Sequence, residues 1–289
     1  MPIPEELTRH RLRRTDADDA LRLSDAAGWN QGVEDWRLFI ENGQVLGYRS
    51  ADGTLVASGA ALPYPGADTA HAGLGWISMV LVSTAWRQRG LATSLLHESI
   101  DWLRQRRLTP VLDATPAGQV VYTPLGFQPG LAFERWQATL EPSAIALTPS
   151  TAVRARSEDR SAIVALDDAA QQVQRAVLID ALLARPHTQA WIDAPRTGFV
   201  IRRAGHRALQ IGPLVATDED AAVALLGNAL AGIDGAVFLD VPVRWSALAQ
   251  RLTQWGFVRQ RPFVRMALGP TAALHGSDRQ FVLAGPEFG

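Results

Sequence analysis

Residues 87–92 of the 289-residue chain read Arg-Gln-Arg-Gly-Leu-Ala, and they stand where a strand pattern gives way to a helix pattern. Upstream, Trp76–Val82 is a short, uncharged, partly β-branched run, which reads as a buried strand. Downstream, Leu91, Ala92, Leu95, Leu96, Ser99 and Leu103 share one face at helical spacing. Arg104, Arg106 and Arg107 suit the negative end of that helix's dipole. The first N–H groups of a helix lack internal partners and sit at its positive end, so the junction is a natural anion site. Gly90 has no Cβ to hold a phosphate off, and Arg87 and Arg89 add charge from the side. These six residues alone would equally suit an ordinary turn with solvated arginines. Tyr122 offers a second chemistry. A phenol has a reference pKa of about 10, so near neutral pH it carries a proton it can give to a leaving group. The alternative for Tyr122 is a core aromatic packed beside Phe127.

The wider pattern narrows the choice. Arg87-x-x-Gly90-x-Ala92 after an apolar strand resembles the acyl-CoA pyrophosphate loop of the GNAT acyltransferase superfamily. That superfamily often continues Asn-x-x-Ala-x-x-x-Tyr-x-x-x-Gly-Phe, and Thr115, Gly118, Tyr122, Gly126 and Phe127 stand at the corresponding positions. Thr115 replaces the Asn and Gly118 the Ala, so the Asn's polar contact does not carry over automatically. The two motifs span about a fifth of the chain. The phrase Leu112-Asp113-Ala114-Thr115-Pro116-Ala117-Gly118 is similar to a bacterial subgroup with a second domain appended at the C-terminus.

The resemblance implies N-acetyl transfer from acetyl-CoA to a primary amine, with a small molecule as acceptor and no metal. It implies that Val80, Leu81 and Val82 give backbone contacts to the pantetheine arm and an N–H near the thioester carbonyl. It places Arg87, Gln88, Arg89, Gly90, Leu91 and Ala92 around the pyrophosphate, Thr115 nearby, and Tyr122 beside the sulfur as general acid. Trp29 and Trp36 flank the region that would fold over the acceptor, although large indoles commonly serve burial. No general base is identified. Glu34, Asp35 and Asp113 are carboxylates that could face the cleft, and deprotonation through water needs none of them. Two other readings stand beside this one: a non-catalytic CoA- or ligand-sensing protein, and an acetyltransferase acting on protein amines.

Composition sets outer bounds. Net charge is -1 with acidic and basic residues interspersed, which disfavours nucleic acid as a partner. There is no cysteine, so neither a disulfide framework nor a cysteine nucleophile exists. The six histidines form no metal-spaced pair, and no dinucleotide, P-loop or serine-hydrolase signature occurs. No apolar run approaches the ~20 residues that span a bilayer, and Met1–Glu6 shows no signal pattern. The expectation is a cytoplasmic monomer or homodimer.

The elements follow in order. Leu12–Ala27 reads as a helix capped near Thr15 or Asp16, then Gly28–Gly32 as a turn and Glu34–Glu41 as a short helix. Gln44–Arg49 and Thr54–Leu62 read as strands joined by an Asp52-Gly53 hairpin, Pro63–Gly66 as a loop, and Leu74–Val82 as the next strand. Leu131–Leu140 reads as the last strand of a first domain. The segment 143–151, near Pro142 and Pro149, reads as a linker between domains at 1–142 and 152–289.

The second half repeats the first weakly. Val153–Asp159 echoes Leu12–Asp18, Ile211–Val215 echoes Ile77–Val82, Val237–Asp240 echoes Pro110–Asp113, and Trp255-Gly256-Phe257 echoes Leu125-Gly126-Phe127. The expected fold class is therefore mixed α/β, with two tandem GNAT-like domains, each a twisted mixed sheet flanked by helices. The copy is degenerate where it matters. Ala216–Ala222 has no arginine and no glycine but holds three carboxylates, which would repel a pyrophosphate, and Leu252 stands at the tyrosine position. The second domain is expected not to bind CoA in the family manner.

Overall fold

A strand, a glycine turn and a helix do follow one another at residues 74–104, and the rest of the chain is built around that unit. The computed structural model describes residues 3–67, 73–145, 150–270, 274 and 276–289. Its first half runs β1 (Thr8–Arg11), α1 (Ala17–Ala26), α2 (Val33–Asn42), β2 (Gln44–Arg49), β3 (Leu55–Tyr64), β4 (Leu74–Val82), α3 (Leu91–Arg104), β5 (Thr109–Ala114), α4 (Pro116–Tyr122) and β6 (Gln128–Leu140). The second half runs β7 (Val153–Arg154), α5 (Arg160–Gln171), α6 (Ala176–Leu183), β8 (Gln189–Ile192), β9 (Phe199–Ala204), β10 (Leu209–Val215), α7 (Glu219–Leu230), β11 (Gly235–Pro242), α8 (Ser246–Gln254), β12 (Val258–Ala267) and β13 (Gln280–Val282). The helix pair α5 and α6 sits between β7 and β8 as α1 and α2 sit between β1 and β2. The weak repeat is thus a repeat of structure, and the mixed α/β class with helix-flanked sheet holds.

All the strands join one sheet. Its order is β1-β2-β3-β4-β5-β12-β6-β11-β10-β9-β8-β7, with β13 on β10. Among the described residues, β4 with β5 and β10 with β11 pair in parallel and the other strand pairs are antiparallel. The two halves exchange strands at the centre. The strand expected to close the first half is present, three residues longer at its start, but both its neighbours belong to the second half. It pairs with β11 from Gly235↔Leu140 to Pro242↔Phe133, and with β12 on its other side. In turn β12 covers the open edge of β5, from Val264↔Ala114 to Ala267↔Val111. Of the expected linker, residues 146–149 lie outside the described residues, as do His71 and His275.

Two local expectations shift. The first helix starts at Ala17, after a 3-10 turn over Arg14–Asp16, and the Asp16 side chain accepts from Arg13 N at 2.7 Å instead of capping α1. Pro63 and Tyr64 extend β3 where a loop is expected, because Tyr64 pairs with Leu74 and its hydroxyl donates to Phe288 O at 3.1 Å. Tertiary packing there overrides the local turn signal. The Asp52-Gly53 turn is as expected, with Gly53 at φ 85° and Asp52 accepting from Thr54 N at 3.0 Å.

One core runs through both halves. Trp36, Phe39 and Trp76 of the first half pack in the same buried cluster as Leu178, Ile179, Leu182 and Phe288 of the second. Phe288 stacks on Phe39 with ring centroids 5.4 Å apart. Burying one such ring contributes about 1.5–3 kcal/mol. Buried ion pairs also bridge the halves: Arg135–Asp240, Asp113–Arg265 and Asp35–Arg185. Removing one partner from such a pair leaves a buried charge alone and costs about 3–5 kcal/mol.

Candidate active site

The site begins where β4 and β5 part. They pair only at Leu74↔Thr109, Gly75↔Pro110 and Trp76↔Val111, and then diverge. At the parting β4 bulges. Its register against β3 shifts between Ser58 and Ala60, and Met79 sits at φ 53°. A left-handed methionine is strained, so its surroundings must hold it. They do: Met79 is buried, and its carbonyl accepts from Ser58 Oγ at 2.8 Å. A bulge frees backbone groups from the ladder, and Ser78, Met79 and Val80 line the pocket that opens here. Leu81 packs in the core and Val82 is half-buried at the end of the strand.

Past β4 the chain makes a 3-10 turn over Thr84–Trp86 and reaches the predicted loop. Gln88 and Gly90 take positive φ, 61° and 77°, and α3 starts at Leu91 with Gly90 as its N-cap and no side chain capping it. Left-handed residues in such a turn gather N–H groups into a concave anion seat. Arg87, Gln88 and Arg89 are exposed. Arg87 Nε donates to Val82 O at 3.2 Å, and Arg89 lies 4.8 Å from the Trp86 ring centre and 3.9 Å from Glu6. Leu91 is buried and anchors α3, while Ala92 is half-buried. The uncapped helix start and the glycine are features that suit an anion, and none of residues 87–92 is among those lining the pocket at the parting.

The second half answers each of these features differently. At the start of α7 the Asp218 side chain accepts from Ala221 N at 2.8 Å, so this helix is capped by its own chain. That hydrogen bond holds the Asp218 carboxyl below its usual range. The strands β10 and β11 also part after Ile211↔Leu239, and β10 also bulges between Ile211 and Leu214. Here the chain fills the gap itself. The strand β13 pairs with β10 at Leu214↔Val282, and Leu283 N donates to Asp240 O at 2.9 Å. A Cβ on Gly212 would lie 2.0 Å from Leu283 O, so only glycine admits the segment.

In the first half the parting leads into a pocket of about 450 Å³. Tyr122, at the end of α4, lines it beside Ala114 and Thr115. Its ring is tilted 55° to Phe127 at 6.0 Å, and burial pushes its phenol up from the usual value, so it keeps its proton. A Cβ on Gly118 would lie 3.0 Å from Tyr122 Cε2, so the glycine makes room for the ring. Thr115 Oγ1 accepts from Gly118 N at 3.2 Å and caps the helix that carries Tyr122.

The proposed acceptor residues divide. Trp29 lines the pocket. Trp36 does not: it is fully buried in the core, with Nε1 donating to Ser24 Oγ at 3.1 Å. Asp113 lines the pocket, but Arg265 Nε and Nη2 donate to its two oxygens at 3.0 and 3.2 Å. Burial raises its pKa and Arg265 opposes that, so Asp113 ties β5 to β12. Glu34 pairs with Arg37 and Asp35 with Arg185, each at 2.6 Å, and neither lines the pocket.

Several lining residues carry no local sequence signal. Arg135 on β6, Phe238 on β11, and Arg261 and Phe263 on β12 reach the pocket through the strand exchange, and Pro286 and Glu287 through the C-terminal segment. Asn30 joins the halves beside it, accepting from Arg207 N and Ala208 N at 2.9 Å each. A larger cleft of about 910 Å³ follows β1, where Arg9 and Arg14 pair with Glu98 and Glu41. It is separate from the parting of β4 and β5. Among the described residues no cluster of His, Asp or Glu is arranged to hold a metal, and no helix is long and apolar enough to cross a membrane.

Comparison with known proteins identifies the family. Residues 10–127 match the model of the acetyltransferase (GNAT) family, and residues 163–281 match that of the acetyltransferase (GNAT) domain. The chain belongs to the GNAT acetyltransferase family, with two GNAT domains in tandem. It is 22% identical over 263 residues to the "Uncharacterized N-acetyltransferase YitH" of Bacillus subtilis, covering 89% of each chain. A putative acetyltransferase from Pyrococcus horikoshii shares its fold with a TM-score of 0.81 at 17% identity, over 100% of this chain and 98% of that one. A tandem GNAT protein from the clavulanic acid biosynthesis pathway does so with a TM-score of 0.64 at 14% identity, over 92% and 99%.

Proposed function

We propose that the protein transfers an acetyl group from acetyl-CoA to a primary amine of a small molecule. The observation that carries this reading is the pocket at the parting of β4 and β5. Its volume of about 450 Å³ suits a small acceptor, and second-half residues wall it in. Acetyl-CoA supplies the acyl group as an activated thioester. In this reading the start of α3 and Arg87–Ala92 hold the pyrophosphate. The bulged backbone of Ser78–Val80 stands beside the thioester carbonyl, where an N–H stabilises the charge that develops on oxygen. The acceptor nitrogen attacks as a neutral amine, its new N–C bond replaces the C–S bond, and Tyr122 gives its proton to the departing thiolate. The nitrogen's surplus proton leaves to water, and water reprotonates Tyr122. The reading includes a cytoplasmic setting, a monomer or homodimer, and neither metal nor nucleic acid.

Transfer to protein amines is the competing reading, and the walled pocket disfavours it. The test is a screen of small primary amines beside lysine-containing and free N-terminal peptides, read by acetyl-CoA-dependent mass gain. Small amines are expected to be acetylated and peptides not. Peptide acetylation alone would reverse the assignment. Acetyl-CoA binding with no transfer to either set would favour a sensor.

A further inference from the structure

Gln31 lies between α1 and α2, lines the pocket and is only 8% exposed. Its Nε2 donates to Glu287 Oε2 at 3.0 Å. An ionised carboxylate accepts and cannot donate, so this contact fixes which way the amide points. Gln31 Oε1 is then a buried acceptor with no donor among the described residues. Such a group is costly unless something supplies an N–H.

Glu287 also lines the pocket, 6% exposed. Its Oε1 accepts from Arg203 Nη2 at 3.0 Å and its Oε2 from Gln31. A carboxylate offers about four acceptor positions, so these two side-chain contacts leave capacity for more donors. The side chain folds back over Gly285, where a Cβ would lie 2.6 Å from Oε1 and where φ is 134°. Two acceptors with spare capacity thus stand together in the pocket that Tyr122 lines.

We infer that Gln31 Oε1 and Glu287 form the seat for the acceptor's amine, and that Glu287 takes the proton its nitrogen sheds. The inference rests on the proposed acetyl transfer and completes its proton balance. As the N–C bond forms and the C–S bond breaks, the nitrogen's proton passes to Glu287 and on to water, while Tyr122 protonates the thiolate. An amine offers N–H groups that Gln31 Oε1 and Glu287 can accept, while Arg135, Arg207 and Arg261 line other parts of the same pocket. Burial holds the Glu287 carboxyl above the usual range, with Arg203 of β9 opposing, Asp35 of α2 acting with burial, and Arg135 of β6 opposing. The buried Tyr64 hydroxyl of β3 also feels this carboxyl, Arg207 and Arg261 line the same pocket, and Arg185 and Asp240 act on its partner Arg203. A carboxylate with a raised pKa is the better proton acceptor. Activity that needs its ionised form is lost as pH falls through that raised value.

The test uses the full chain with Glu287→Gln and Gln31→Leu. Acetyl-CoA affinity is read by calorimetry. Transfer to a panel of small primary amines is read by release of the CoA thiol, and the chain has no cysteine to contribute background. Glu287→Gln is expected to bind acetyl-CoA as the wild type does, to lose about 100-fold or more in kcat, and to lose the acidic limb of the pH profile. Gln31→Leu should raise the amine KM about 10-fold with that limb intact. Unchanged kcat and pH profile in Glu287→Gln would overturn the inference. A wild type that binds acetyl-CoA and acetylates no amine would overturn the proposed transfer and the inference with it, and would leave the CoA site standing. A wild type that does not bind acetyl-CoA would overturn the proposed function itself. If Glu287→Gln fails to fold, the wild-type acidic limb and the Gln31→Leu KM decide, and absence of both effects overturns the inference.

Discussion

Tyr122 and Glu287 are both acids in the ordinary sense, yet burial gives them opposite uses. Burial raises the pKa of each. For Tyr122 the protonated form is the working form, so the shift extends its range as donor further to alkaline pH. For Glu287 the ionised form is the working form, so the shift brings its loss of function to a higher pH. Tyr122→Phe should therefore lower kcat about 100-fold while acetyl-CoA affinity stays unchanged, as steady-state kinetics and calorimetry would read. Turnover equal to the wild type would remove Tyr122 from proton transfer. The sequence made Tyr122 visible because its motif is local: Thr115, Gly118, Tyr122 and Gly126 fall on α4 or just beside it. Glu287 carries no such mark. Its neighbours, Gln31 and Arg203, come from distant segments, and only the folded chain brings them together.

The two helices that start after a parted strand pair differ by how their first turns are satisfied. Gly90 leaves the start of α3 uncapped by any side chain, and Asp218 caps α7. Strand, turn and helix were legible here because hydrophobic period and the glycine both mark the boundary. The carboxylates in 216–222 likewise marked the second copy as altered. What the sequence did not reveal is that β13 fills the second parting, since strand pairing over such distances leaves no local pattern. Asp218→Ala should cost about 1 kcal/mol of stability in thermal or denaturant unfolding, as loss of an N-cap does. Because the folded pKa of Asp218 is lowered, its contribution is present above the unfolded value and fades as pH falls through the folded one. Unfolding of the two proteins should converge in acid, and a difference that persisted there would show that the cap is not acting through its charge. Acetyl-CoA binding should not change.

At the scale of the whole molecule, the tandem copies are one sheet with exchanged strands. While β8, β9, β12 and β13 carried no expectation, the bounds of β2 and β4, and nearly those of β3, could be read from periodicity and turn signals. The exchange of β6 and β12 could not, because either strand's alternation fits any partner of suitable face. Its consequence is functional. Phe238, Arg261 and Glu287 come to the pocket only because the second half closes on the first. In this account one copy keeps an open cleft and the other gives up its own to shape the acceptor side. The most direct check is calorimetric titration of the full chain with acetyl-CoA, beside an Arg87→Glu, Gly90→Glu double variant. The account predicts one site per chain, with affinity lost by well over 10-fold in the variant, since carboxylates would then stand where the pyrophosphate sits. Two equivalent sites, or binding that survives the double substitution, would contradict it.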